Sequence, residues 1–541
     1  MCGPSFAINF ERSPTPVYPT FLFFEGLLAM SGLPIFTTGR RLITTILICA
    51  LIALLLVVKQ ETIRSSSTFN YYATPRDELL EQQGKFWQQF IVDLEIHGPY
   101  VPPLNHPEDK HLEISFDASD HRGRPDYLQM MVKQWEALSK SHTAFVEKLR
   151  SREYRVPYNP GTRGIVTTAG GAYLPVALVS IRMLRETNSD LPVEVFLSTW
   201  SEWDPVICSK ILPSLNARCI VLQDVMDYDK KTSKHGLEKY QYKIMSILFS
   251  SFEEVLFLDS DCFPIHNAND LFESAPFNDT GLVLWPDFWF PSESFLYFQI
   301  AAIPEPKVYE RASTEAGEIL YSKSKHDAGL LLATYYNYYG PNYYYPLLSQ
   351  GAPGEGDKET FMWSAIVLGE PFYHVTTGVR ALGYQTKDGQ WRGSAMAQFD
   401  PMQDFDPDHE KQEAALVLGD MYPRPYFVHV NLPKLDPGQI FDYESFGATG
   451  PTKDSDQNMR RIWFDNEEQA VDFFGFDLEK KVWNVVREIA CEYENAILSW
   501  KGKKDICKKA LRYWDAVFKD DTKPQWNRLT ARTRFSEPSS N

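Results

Sequence analysis

Asp259 and Asp261 close an apolar run, Val255–Leu258, within EEVLFLDSDCFPI (Glu253–Ile265). Two carboxylates one residue apart at the carboxyl end of a buried strand lie where open α/β sheets bind their ligands. Hard divalent cations take oxygen ligands, often a few protein carboxylates with phosphate and water completing the shell. The pair therefore suits a cation bound together with a diphosphate. Spacing alone discriminates little, because the chain holds five Asp-x-Asp triplets. Asp227/Asp229, Asp404/Asp406, Asp406/Asp408 and Asp454/Asp456 lie in polar or proline-containing stretches, where Asp commonly serves turns and helix caps. Asp259/Asp261 follows an apolar run of strand length.

Other residues could join that chemistry. Thr167, Thr168, Ala169, Gly170 and Gly171 end a short apolar strand, and glycines there let backbone N–H groups approach a phosphate or a base. In GEGDKETF (Gly354–Phe361), Glu355, Asp357, Lys358 and Glu359 crowd the start of a helix. Acids there cap the helix, or else stabilise positive charge growing on a reacting sugar carbon. In FVHVNLPK (Phe427–Lys434), His429 ends an apolar strand and Lys434 follows. The pair is either structural, or a third metal ligand with a phosphate-binding lysine. Trp285–Trp289 (WPDFW) and Tyr335–Tyr345 (YYNYYGPNYYY) are dense in rings, suited to core packing or to the C–H faces of sugars.

The elements that must position these residues alternate. Strands are predicted at Gly164–Thr168, Val193–Leu197, Cys219–Leu222, Val255–Leu258 and Gly281–Trp285, with helices at Leu174–Leu184, Pro205–Ile211 and Tyr240–Phe249 between them. Glu318–Tyr321, Phe372–Val375 and Phe427–Val430 extend the strand set, with helices Lys325–Tyr338 and Lys358–Val367. Such alternation specifies a mostly parallel sheet flanked by helices. Helical periodicity covers Asp126–Arg150 within a region expected to be a stem, 59–160. The sheet domain is expected over 161–437, and a loop with a helical extension packed on it over 438–541.

The chain has 541 residues, room for a large α/β domain. A net charge of −17 argues against a nucleic-acid backbone as partner. Leu42–Val58 carries no charge and as a helix would rise about 26 Å, close to the thickness of a bilayer core. It is expected to be an uncleaved membrane anchor after a tail, 1–41. The flanking charges, Arg40 and Arg41 against Lys59, Arg64 and Arg76, leave its orientation open. Met1 and Met30 are both candidate translation starts, and each is compatible with the anchor. Cys491 and Cys507 lie in neighbouring helical segments, so a disulfide between them and two free thiols are both compatible with the sequence. Asn278-Asp279-Thr280 is an N-glycosylation sequon, usable on the lumenal side.

Taken together, GIVTTAGG (Gly164–Gly171), LPVEVF (Leu191–Phe196), LPSLNARC (Leu212–Cys219), YQYKIMSILFSSFEEVLFLDSD (Tyr240–Asp261), TGLVLWPDFW (Thr280–Trp289), LSQGAPGEGDKETF (Leu348–Phe361) and FVHVNLPK resemble the fungal Golgi α-mannosyltransferases of the α-1,2 branch-initiating kind. The resemblance spans roughly 163–437. It implies a type II Golgi membrane protein whose lumenal domain has the GT-A fold and uses GDP-mannose and Mn²⁺. On that resemblance Asp259 and Asp261 match the metal-binding motif, and His429 and Lys434 are similar to a metal-ligand histidine and a phosphate lysine. Cys262 stands where relatives commonly carry a polar residue.

The expected reaction is transfer of mannose to a mannose hydroxyl of a glycan, with retention. Asp259, Asp261 and His429 would hold the metal, while Thr167–Gly171, Lys243 and Lys434 would bind the donor. Asp357 or Glu359 would face the anomeric carbon, with a covalent intermediate and front-side attack both open. Trp285, Asp287 and Trp289 would contact the acceptor. A complex with other Golgi glycosyltransferases is a candidate association. The rival expectations are α-1,3 transfer or another sugar donor, and a non-catalytic, membrane-anchored glycan-binding protein.

Overall fold

The structure, a computed structural model, describes residues 76–105, 113–151, 154–227, 236–354, 356–406, 408–441, 452–454 and 456–519. The expected anchor Leu42–Val58, the alternative start Met30 and residues 59–75 of the expected stem lie outside them. Among the described residues no helix is long and apolar enough to cross a membrane.

The central sheet joins β1 (Asn159–Thr168), β2 (Val193–Leu197), β3 (Ala217–Val221), β4 (Phe252–Leu258), β6 (Leu282–Pro286), β7 (Thr314–Ser322) and β8 (Tyr373–His374) in the order β3-β2-β1-β4-β7-β6-β8. The pairs β3/β2, β2/β1, β1/β4 and β6/β8 are parallel, while β7 runs antiparallel to both β4 and β6. Reversal of β7 has one consequence for function. Its amino end and the carboxyl ends of β1, β2, β4 and β6 share one edge. The mostly parallel, helix-flanked sheet agrees with the alternation in the sequence.

A second sheet was not expected from the sequence. β5 (Cys262–Pro264), β11 (Pro425–His429), β10 (Trp391–Phe399) and β9 (Arg380–Gln385) pair antiparallel in the order β5-β11-β10-β9. β5 begins one residue after Asp261, and His429 pairs with Cys262. This pairing lays the late strand against the aspartates. Phe427–Val430 therefore belongs to this sheet and not to the central one.

The helices cover the central sheet because their apolar stripes match its buried faces. α3 (Leu174–Arg185) goes further and is buried continuously from Leu174 to Ile181, as a helix apolar all round must be. Residues 76–151, expected as part of a stem, pack on the same body. α1 (Arg76–Ile96) sets Trp87 edge-on to Phe249, and α2 (Val132–Arg150) stacks Phe145 on Tyr335 at 4.4 Å. His142 of α2 meets the Tyr336 hydroxyl at 2.7 Å. The tyrosine run, read as core or sugar contact, is core: Tyr335, Tyr336, Tyr338, Tyr339, Tyr343, Tyr344 and Tyr345 are all buried. It forms the socket for these helices.

Two disulfides are present among the described residues. Cys491–Cys507 links α7 (Leu478–Tyr493) to α8 (Ile506–Val517), and Cys208–Cys219 ties the segment before β3 to that strand. The second was not foreseen. Asn278 is exposed, in a short helical turn before β6.

Candidate active site

β4 is buried from Val255 to Leu258 and ends at Asp259, whose N–H donates to Gly317 O at 2.8 Å. The chain then turns through Ser260 and Asp261 into β5. The amino end of β7 brings Glu315 to the same edge, and β11 brings His429. One ligand atom each from Asp259, Glu315 and His429 lie within 4.8 Å of one another. His429 Nε2 is 3.3 Å from Asp261 Oδ1, and His429 Nδ1 is 3.3 Å from Glu315 Oε1. The latter contact is not aligned as a hydrogen bond, so this buried nitrogen has no hydrogen-bond partner.

Oxygen and imidazole donors so arranged fit a divalent cation. Gly317 makes the approach possible: a Cβ there would stand 2.4 Å from His429 Nδ1.

Cations already present balance the acids. Lys243, on helix α4 (Gln241–Phe249), reaches Asp259 Oδ2 at 3.3 Å and Asp357 Oδ2 at 3.8 Å, and donates to Ala316 O at 2.6 Å. Lys434 pairs with the second oxygen of Asp261. Burial would raise the pKa of Asp261, but His429 and Lys434 outweigh it and hold the group below the usual carboxylate range. Burial alone would lower that of His429, yet Asp261 and Glu315 lift it well above the ordinary imidazole value. Asp357 is pushed up to about 6 by burial, with Lys243 opposing and Asp259 adding.

Glu318, one turn of strand deeper, is raised to about 8 by burial and by Glu315, and accepts a 3.3 Å hydrogen bond from Cys262 Sγ. The residue after the second aspartate thus keeps a hydrogen bond, directed inward.

Two expected residues stand elsewhere. Glu359 is turned away from the cluster: its carboxylate accepts from Thr314 N at 2.8 Å and faces Arg311 at 3.7 Å. Trp285 is in the core, because strand alternation points it between the sheets. Its ring meets Phe427 edge-on and its indole N–H donates to Phe399 O at 3.0 Å. Asp287 accepts from Lys358 Nζ at 2.6 Å, and Trp289, just outside the β6 tip, is partly exposed.

Thr167 and Thr168 end β1 beside β2. Beyond them Ala169 N–H donates to Phe196 O at 3.0 Å, Gly170 packs against the Glu202 carboxylate, which a Cβ would meet at 2.4 Å, and Gly171 opens the edge with φ 54° and open space where a Cβ would be.

Glu315 was missed by sequence reasoning. The strand was expected to begin at Glu318, which left Glu315 in a loop. The available signal was Glu315-Ala316-Gly317-Glu318 leading into an apolar strand, two acids that an interior strand carries only with partners.

Residues 162–312 and 307–400 match the family model described as "Mannosyltransferase putative". The chain is similar to α-1,2-mannosyltransferase MNN21 of Candida albicans, 33% identical over 72% of this chain and 66% of that protein. It is also similar to α-1,2-mannosyltransferase MNN24 of the same organism, 33% identical over 68% and 60% of the two chains. MNN2 of Saccharomyces cerevisiae is 29% identical over 76% of each. The chain thus spans just under two thirds of the length of the first of these curated relatives. Among solved structures, mouse xyloside xylosyltransferase 1 in its apo form overlays with a TM-score of 0.26 and 13% identity, over 40% of this chain and 85% of that one. That likeness is too slight to bear on the fold. The sequence matches cover the residue pattern described above and make this chain similar to the fungal α-1,2-mannosyltransferases.

Proposed function

We propose that the chain transfers mannose from GDP-mannose to a mannose hydroxyl of a glycan, forming an α-1,2 linkage with retention, on a GT-A fold. The observation that carries the reading is the meeting of Asp259, Asp261, Glu315 and His429 with Lys243 and Lys434 at one sheet edge, in a chain related to α-1,2-mannosyltransferases.

Asp259, Glu315 and His429, with Asp261 beside them, would hold a divalent cation, Mn²⁺ on this reading. Such an ion supplies Lewis-acid neutralisation of the leaving diphosphate. The chain's own groups do the rest. Lys243 and Lys434 add positive charge where the diphosphate lies, and Gly171 leaves room for the nucleotide.

The bond from the anomeric carbon to the diphosphate breaks, and the acceptor oxygen bonds to that carbon. The acceptor proton leaves with the diphosphate. Asp357 is the carboxylate nearest this chemistry, beside Lys243 and held by the turn before α6 (Thr360–Leu368). Lys358 fixes Asp287 on the acceptor side. The proposal includes a Golgi membrane location with the sheet domain lumenal, anchored by Leu42–Val58.

The test is a donor panel of GDP-mannose, GDP-fucose, UDP-glucose and UDP-galactose with mannoside acceptors, with and without Mn²⁺, and linkage analysis of the product. GDP release with an α-1,2-linked product supports the reading. Transfer from another donor or to another position corrects the specificity, and no turnover with any donor leaves the glycan-binding alternative.

A further inference from the structure

We infer that residues 113–128, which precede the region matched by the family model, join the stretch leaving β6 to form an extended platform for the acceptor, gripping sugars beyond the one that reacts. The inference rests on the glycosyl-transfer reading above.

Segment 113–128 is irregular, but its start pairs with the stretch leaving β6 through one antiparallel bridge. Phe116 N–H donates to Phe288 O at 2.7 Å, Phe290 N–H donates to Ile114 O at 2.8 Å, and Ser115 bridges Trp289 in antiparallel fashion. Its far end is fastened. The Gln350 side chain accepts from the N–H of Tyr127 and Leu128 at 2.8 and 3.1 Å, and donates to Pro125 O and Ser292 O at 2.7 and 2.9 Å. Arg124 pairs at 2.5 Å with Glu293, which is fully buried and also takes Arg311 at 3.1 Å and the Trp363 indole at 3.0 Å. A solvated spacer would not carry a desolvated ion pair of this kind.

These contacts hold a row of part-exposed rings. Phe116, Phe288 and Trp289 are each neither buried nor fully exposed, and exposed His121 sits 4.2 Å from the Tyr309 ring. The stretch carrying Phe288 and Trp289 leaves β6 next to the site, since Trp285 pairs with Glu315 and Pro286 with Thr314 in the sheet. The chain leaves β6 at Pro286, bends at Phe288 and presents Trp289 beside Ser115. Charged residues interrupt the rings: Asp120 with Arg122 at 2.5 Å, and Arg122 over Phe290 at 5.3 Å. Rings for C–H faces set among hydrogen-bonding groups suit a polyhydroxylated chain. A protein partner would be met by a continuous apolar patch.

The test uses the full chain with GDP-mannose and acceptors of rising length, from methyl α-mannoside to a mannotetraose. The wild type should show kcat/KM at least tenfold higher for the tetramer than for the monosaccharide. Phe116→Ala and His121→Ala should cut that ratio threefold or more, chiefly through KM for the longer acceptor. Thermal melts check folding, and if Phe116→Ala fails to fold, the exposed His121→Ala decides. A wild type indifferent to length, or a folded variant with the full ratio, overturns the inference while leaving mannosyl transfer standing. No transfer to any acceptor overturns both.

Discussion

In Asp259-Ser260-Asp261 the carboxylates meet charged groups, Lys243, Lys434 and His429. In Asp404-Phe405-Asp406 the same spacing meets neutral donors. Asp404 Oδ2 accepts from the Tyr373 hydroxyl at 2.5 Å and Thr376 N at 2.7 Å, while Oδ1 accepts from Thr377 N at 2.8 Å and the Thr376 and Thr377 hydroxyls at 2.9 and 2.5 Å. Its oxygens are committed, and Asp406 points to solvent. A carboxylate filled by N–H and O–H donors has little left for a cation. Strand ends that converge from two sheets instead bring unlike charges together and leave room between them. The function of the motif is therefore set by what surrounds the strand tip, and the Asp-x-Asp spelling contributes little by itself.

The largest expected effect tests the first half of this contrast. Asp261→Asn should lower kcat/KM on the order of 10³-fold, equivalent to about 4 kcal/mol of barrier, with only a small change in melting temperature. Glu315→Gln should lose less, on the order of 10²-fold, and need more divalent cation to saturate. Rates measured across a cation titration check both. A Glu315 variant as active as wild type would remove Glu315 from the site.

The second effect tests the other half. Asp404→Ala should cost about 1 kcal/mol of stability, because half-buried and exposed donors lose their acceptor, while the folded variant keeps its kcat/KM within about twofold. Chemical denaturation and initial rates decide. If Asp404→Ala silences a folded enzyme, the contrast fails.

The smallest effect concerns pH. Burial would raise the pKa of Asp404, but hydrogen bonds from Thr377, Tyr373 and Thr376 outweigh it and hold the group below its usual value. Its contribution is thus present above the unfolded pKa, about 3.9, and lost as pH falls through the lower folded value. The stability gap between wild type and Asp404→Ala should narrow by less than about 1 kcal/mol between pH 6 and pH 3, since the group is partly solvated and screened. A gap that widens on acidification would reverse the assignment.

Much of this was legible in the sequence. The apolar run before Asp259, the strand ending at His429 and the alternation from Gly164 onward each carry a local signal that tertiary packing preserved. Other features left weaker traces. β9 and β10 are rich in Gly, Ala and Ser, and their hairpin was announced only by Asp388-Gly389, where Gly389 has φ 79°. Segment 113–128 is held by two backbone hydrogen bonds at its start and by the Gln350 and Glu293 side chains at its end, contacts that impose no side-chain period. Trp285 and the tyrosine run show the opposite limit. Rings that suit sugars suit cores equally, and burial, which composition does not encode, decided for the core.

Gly317 brings no functional atom to the edge it occupies, yet the imidazole of His429 rests in the space where its side chain would be. An activity-scored mutational scan would therefore flag this glycine alongside the aspartates. Any redesign of this edge inherits it as a fixed void, since filling the hole would displace the imidazole before its neighbours could be altered.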